Sequence, residues 1–322
     1  MTPNRAGGLS NALSASYRKT GSMRPSASLP VSVTMPAAAF SRWVSTYAAE
    51  DTNRTAPTWL SRVRVSLESL LSREDDLVLT ASRANAQVGF SPEFEDSIAR
   101  LKVQLGICLK PSNEGPLIAP DDSPPFPRCL GTELDSYWSL VNEHVAYRLA
   151  QMKVKKVLEV GAGFFSLTKV LVEHGFEVSV IEPNTHAKEL MAKQGLMVAL
   201  TNEPFSRDAL SSSTFDCVIF MESFHHMPSP VQALEDAFSV APNILLCAEP
   251  ITSDASILPY PWGPRLDGES MYAMVCHGWN ENGFSPEFVA HLAEHFGAYQ
   301  EVWFMPGIHH SHIVALRRGG AV

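Results

Sequence analysis

Cysteine is sparse in this chain and shows no pairing pattern. Cys108, Cys129, Cys217, Cys247 and Cys276 are five in 322 residues, odd in number and nowhere spaced CxxC. That argues against a disulfide framework and against a cysteine zinc site, and it favours a reducing compartment. Long apolar runs are missing too: no stretch approaches the ~20 consecutive apolar residues that a membrane-spanning helix requires. Positive charge is in deficit, with 25 Lys and Arg against 34 Asp and Glu and a net charge of -9. Nucleic-acid binding depends on neutralising phosphates with basic side chains, so DNA and RNA are poor substrates for this surface. The 45% hydrophobic and 18% charged content is that of an ordinary globular protein.

Acidic residues are absent from positions 1–49, which carry Arg5, Arg18, Lys19, Arg24 and Arg42 among many Ser and Ala. This composition fits either a disordered tail or an organelle transit peptide. The expected location is therefore cytoplasmic, with a mitochondrial or plastid compartment as the alternative. Residues 50–130 read as a helical accessory region and linker. Trp59, Val63, Leu67, Leu70 and Leu71 recur at helical spacing, and six prolines between Lys110 and Arg128 exclude regular structure there.

From about residue 131 to 318 the pattern changes. A helix is expected over Glu133 to Met152, with Leu134, Trp138, Val141, Val145 and Leu149 on one face. Strands are then expected at 157–160, 178–181, 197–200, 216–220 and 244–248, alternating with helices at 165–174, 187–194 and 231–238. Such strand-helix repetition implies an α/β fold with a parallel sheet covered on both faces. A last helix at 286–296 precedes strands at 299–305 and 312–316, close enough to pair antiparallel.

The segment Val157-Leu-Glu-Val-Gly-Ala-Gly163 runs from a buried strand through two glycines into a helix. Gly161 and Gly163 permit a tight turn and a close ligand approach, because neither has a Cβ. The second strand ends in Glu182, whose carboxylate can accept two ribose hydroxyls. Glu159-x-Gly161-x-Gly163 followed by Glu182 resembles the first motif and ribose-binding acid of class I S-adenosylmethionine-dependent methyltransferases. Phe215-Asp-Cys-Val-Ile-Phe-Met-Glu-Ser-Phe-His-His-Met-Pro-Ser-Pro230 is similar to the fourth strand and following loop of the small-molecule branch. The likeness spans about residues 133 to 318, and the family's usual third glycine is Phe165 here.

The resemblance implies a Rossmann-like, seven-stranded, mostly parallel sheet in the order 3-2-1-4-5-7-6 with one antiparallel strand. It implies S-adenosyl-L-methionine as cofactor, held by Glu159, Gly161, Ala162, Gly163 and Glu182, with Asn202 near the adenine and Met221 lining the site. The reaction implied is methyl transfer to a small molecule, with oxygen of a saccharide or secondary metabolite foremost. A rival reading of the same residues is an NAD(P)-dependent oxidoreductase, although Phe164 and Phe165 obstruct the close approach a pyrophosphate needs. A non-catalytic binding module is the third alternative.

His225 and His226 follow the fourth strand, where a methyl acceptor would lie, and His226 is the first candidate to take its proton. Glu249, at the end of the fifth strand, is a further catalytic candidate. Trp262, Arg265 and Glu269, in the insertion before the last helix, together with His310, are candidate acceptor contacts. His309-His310-Ser-His312 lacks a matched carboxylate set, so no metal site is expected there.

Overall fold

A computed structural model of the chain describes residues 32–35, 77–80, 86–104, 131–210, 214–255, 257–266, 270, 273–274, 278–304 and 312–319. The helical pattern expected around Trp59 to Leu71, the proline-rich stretch, Glu269, His309 and His310 lie outside them.

Two short strands, β1 (Ser32–Met35) and β2 (Leu77–Thr80), pair antiparallel by themselves. Helix α1 (Pro92–Gln104) follows a 3-10 turn at Ala86–Phe90, and α2 (Gly131–Gln151) leads into the sheet. The sheet region then alternates β3 (Lys156–Val160), α3 (Ser166–Glu173), β4 (Glu177–Ile181), α4 (Ala187–Lys193) and β5 (Ala199–Thr201). It continues with β6 (Cys217–Met221), α5 (Pro230–Val240) and β7 (Asn243–Cys247). A small two-stranded ladder, β8 (Trp262–Pro264) with β9 (Asn282–Phe284), precedes α6 (Pro286–His295), β10 (Tyr299–Phe304) and β11 (His312–Arg317).

The seven strands lie in the order β10-β11-β7-β6-β3-β4-β5. Counted within the sheet this is 3-2-1-4-5-7-6, and β11 alone runs against its neighbours, pairing antiparallel with both β7 and β10. The expected α/β architecture is therefore the observed one. The third strand, expected at 197–200, falls instead at Ala199–Thr201, where it pairs with Ser179–Ile181.

Period-two alternation along the strands fills two cores. Leu158, Val160, Val218, Phe220, Ile244 and Leu246 face α5, α6 and α1 on one side. Val157, Val178, Val180, Ile219, Leu245 and Cys247 face α2, α3 and α4 on the other. Two Ser-Pro pairs start the helices of the first face: Ser229 and Ser285 accept hydrogen bonds from the Gln232 and Phe288 amides, with Pro230 and Pro286 in the first turn.

The segment 86–104 belongs to this packing. Ala86, Phe94, Ile98 and Leu101 are buried in the first core, and Phe90 stacks on Phe288 and His295. Trp262 is the pivot of the contact. Its ring meets Phe94 edge-on at 5.6 Å and its indole N–H donates to the Gly89 carbonyl at 2.7 Å. The expectation that Trp262 contacts the acceptor is thereby corrected: β8 turns the ring inward, where it is 1% exposed and its polar atom is already used. Trp262→Ala should destabilise the protein by ~3–5 kcal/mol, the range for emptying a large aromatic site. Denaturant unfolding checks this; a loss under about 0.5 kcal/mol, the scatter of surface changes, would show that 86–104 is not anchored there.

Candidate active site

The sheet order reverses between β3 and β6, and the residues that leave the carboxyl ends of β3, β4, β6 and β7 converge there, as ligand sites do in open α/β sheets. Gly161 leaves β3 at φ +73 and its amide donates to the Ile181 carbonyl. A Cβ at this position would stand 2.6 Å from the Ser223 Cβ, so the loop after β6 can close on β3 only over glycine. Gly163, at φ +52, has open space where a side chain would stand.

Glu182 ends β4 beside these glycines and is 3% exposed. Its Oε2 accepts from the Gly163 amide at 2.8 Å and its Oε1 from the Asn184 amide at 2.9 Å. A carboxylate offers about four lone-pair positions, so acceptor capacity is left for a ligand's hydroxyls. Asn202 donates to the carbonyls of Glu182 and Asn184, each at 2.7 Å, and so fixes the turn that carries the acid. Glu159, 1% exposed, accepts from the Thr168 hydroxyl at 2.6 Å. Burial raises the carboxyl pKa of both acids; Glu159 is carried to about 7, with the Thr168 bond opposing and the Glu182 charge adding. Two buried carboxylates beside an open glycine turn suit a ligand carrying a diol and a cationic amine, which is the polar equipment of S-adenosylmethionine.

Phe165, where a third glycine was looked for, caps α3 with φ 60 in the left-handed region. The glycine conformation is kept without the glycine. Its ring is fully buried in the second core, which offsets a strain of about 1–2 kcal/mol. Met221, half-buried at the end of β6, packs against the same core.

After β6 the chain makes a short 3-10 turn at Phe224–His226. Glu249, from the end of β7, gathers that turn: Oε1 accepts from the Ser223 and Phe224 amides, and Oε2 from the His225 amide and from His225 Nδ1–H at 2.8 Å. Burial carries its carboxyl up to about 7 against these bonds. Glu249 was expected to be catalytic; its oxygens are instead committed to four N–H groups and it is 0% exposed, so it holds the loop.

His226 donates Nδ1–H to the Asn280 carbonyl at 2.6 Å, since a carbonyl can only accept, and its lone pair is then on Nε2. Asn280 returns a bond to the His226 carbonyl and accepts one from the buried Lys102 at 2.6 Å, so α1 reaches the site. Arg265 pairs with Glu281 at 2.7 Å, and Glu281 lies 3.7 Å from His225 Nε2. Burial pushes the Glu281 carboxyl up, but His226, Arg265 and His225 outweigh it and leave the pKa below the ordinary value. One ligand atom from each of His225, His226 and Glu281 lies within 4.8 Å of the others. Of the candidate acceptor contacts, Arg265 joins this group and Trp262 does not. Lys102, Asn280 and Glu281 were missed by sequence reasoning; they belong to no local motif, and only β9 and α1 bring them here.

Residues 137–299, half of the chain, match the sequence model of a methyltransferase domain. The chain belongs to that methyltransferase family. No curated protein matches it. Among solved structures it is similar to magnesium protoporphyrin IX methyltransferase from Synechocystis PCC 6803, solved with bound S-adenosylmethionine, at 12% identity over 62% of this chain and 86% of that one, TM-score 0.44. It is also similar to an O-methyltransferase family protein from Burkholderia thailandensis (12% identity, 82% and 72% covered, TM-score 0.47) and to mitomycin 7-O-methyltransferase (17% identity, 88% and 95% covered, TM-score 0.44). The methyltransferase is of the class I, S-adenosylmethionine-dependent kind.

Because the folded pKa of Glu159 exceeds its ordinary value of 4.5, its ionisation costs stability progressively as pH rises from about 4.5 to about 7. Glu159→Gln should therefore gain stability relative to the parent across that interval and stay level on either side. Urea unfolding at a series of pH values checks this; a difference independent of pH would contradict it.

Proposed function

We propose that this methyltransferase acts on an oxygen of a small hydroxylated molecule, with saccharides and secondary metabolites as the leading classes. The observation that carries the proposal is the polar cluster of His225 and His226, on the loop that packs against the glycine turn, with Arg265 and Glu281 from the ends of the β8–β9 ladder. A hydroxyl acceptor must be oriented and relieved of its proton, and this cluster supplies polar groups for both tasks.

When bound, S-adenosylmethionine supplies a methyl group on a positively charged sulfur, open to in-line displacement by the acceptor oxygen. Glu182 would hold the ribose hydroxyls, Asn202, through the turn it fixes, would border the adenine, and Glu159 with the Gly161–Gly163 turn would hold the cofactor's charged amino-acid end. Met221 lines the cleft beneath. Glu249 and Asn280 fix the rings of His225 and His226 through their Nδ1 atoms, so the acceptor meets groups that need not reorganise. Arg265, with Glu269 and His310, supplies polar contacts to the acceptor. The negative charge of the chain agrees with a partner that is not a polyanion. No helix among the described residues is long and apolar enough to cross a membrane. We assign the protein to a reducing compartment, the cytoplasm or an organelle matrix.

Incubation with methyl-labelled S-adenosylmethionine and a metabolite extract of the source cells should label a small molecule at oxygen; label on nitrogen, carbon or protein would overturn the oxygen assignment. Glu182→Ala should weaken cofactor binding by roughly 1.5–3 kcal/mol in calorimetry, the range for hydrogen bonds to a charged group, and an unchanged affinity would misplace the ribose. His226→Ala should slow turnover by about 10²-fold or more with cofactor affinity retained; an unaffected rate would remove His226 from the chemistry.

A further inference from the structure

We infer that His225, His226 and Glu281 form a binding site for a divalent transition-metal ion of the Zn²⁺ or Mn²⁺ type, beside the cofactor turn. This rests on the reading of that cluster as the acceptor's location. The three side chains come from two distant segments, the turn after β6 and the residue just before β9, and Glu281 belongs to no sequence motif. Their ligand atoms lie within 4.8 Å of one another, and His225 Nε2 is 3.7 Å from a Glu281 oxygen. A tetrahedral ion with bonds of about 2.0 Å sets its ligands about 3.3 Å apart, so side-chain torsion alone closes the site.

The supporting shell is the second argument. Metal-bound histidines donate their other ring N–H to a carboxylate or a backbone carbonyl, and ligating carboxylates are themselves hydrogen-bonded. All three conditions hold here. His225 Nδ1–H is on Glu249, His226 Nδ1–H is on the Asn280 carbonyl, and Glu281 is held by Arg265. Both imidazoles thereby keep their lone pairs on Nε2, the nitrogen such sites use.

Two imidazoles and one carboxylate select a first-row divalent ion over Mg²⁺ or Ca²⁺, which prefer all-oxygen shells. Three protein ligands leave a coordination position for the hydroxyl oxygen of the acceptor. A hydroxyl held there loses its proton to water more readily, the O–H bonding pair staying on the oxygen that is to be methylated. The imidazoles then serve as ligands and do not take up the acceptor's proton.

The test is calorimetric titration of the EDTA-treated full chain with ZnCl₂ and with MnCl₂, and the visible spectrum of the Co²⁺-loaded protein. The expected result is saturable binding of about one ion per chain, with imidazole-type Co²⁺ bands. His225→Ala, His226→Ala and Glu281→Gln should each weaken binding at least about ten-fold, while His174→Ala and His291→Ala, at half-exposed histidines paired with Glu143 and Glu294, leave it unchanged. Circular dichroism on each variant shows whether it is folded, and a folded set of three that binds as tightly as the parent overturns the site. Loss of binding in the His174 or His291 variants, or no saturable binding by the parent, overturns it as well. The labelling experiment fails or succeeds independently: oxygen methylation by a chain that binds no metal removes the ion and keeps the proposed reaction.

Discussion

The carboxylate of Glu249 is the constraint on which the rest of the site depends. It is wholly buried at the end of β7 and accepts three consecutive backbone amides and one imidazole from the turn after β6. A buried carboxylate without such partners would cost several kcal/mol, the scale of burying an uncompensated charge; with them, charge and loop stabilise each other. The turn so fixed presses Ser223 against Gly161 on one side and presents His225 and His226 on the other. The cofactor cradle and the acceptor cluster are thus two faces of one clasped loop.

Backbone strain gathers at the same edge of the sheet. Among the described residues four non-glycine positions have positive φ: Lys153, Phe165, Glu222 and Ala248. Three of these border the site, Phe165 at the start of α3, Glu222 just after β6 and Ala248 just before Glu249. Each costs about 1–2 kcal/mol, and such conformations persist where the surroundings over-determine them. Ala248 turns the chain so that the next residue, Glu249, points back under the neighbouring loop. The buried ring of Phe165 and the four bonds of Glu249 are the compensation. Strain and clasp together hold the groups at the strand ends still before any ligand arrives.

The accessory segment is tied to this centre as well. Trp262 and the Phe90, Phe94 and Phe288 rings join residues 86–104 to β8 and α6, and Lys102 sends its amine to Asn280, which in turn orients His226. The acceptor side of the cleft is accordingly built from three stretches far apart in the chain. The cofactor side comes from a short run between β3 and β5.

That difference governs what could be read in advance. The α/β alternation, the glycine turn and the acid at Glu182 were legible because each is local: strand periodicity, glycines at a tight turn and a carboxylate at a strand end act within a few residues of one another, while the strand order followed only from the resemblance to class I methyltransferases. Phe165 stood in the sequence as a departure from pattern, and only the structure showed an aromatic residue taking the glycine conformation for the sake of its buried ring. Glu249 and Trp262 looked like surface chemistry. Tertiary packing turned both inward, one to gather amides and the other to anchor α1. Glu281, Asn280 and Lys102 carried no signal, because their meaning lies in neighbours 16 to 178 residues away. The sequence by itself determined the fold and the cofactor, whose requirements are met by contiguous residues. Which side chains face the acceptor was decided by the tertiary structure alone, since burial and long-range hydrogen bonds decide which polar groups are used up and which are presented.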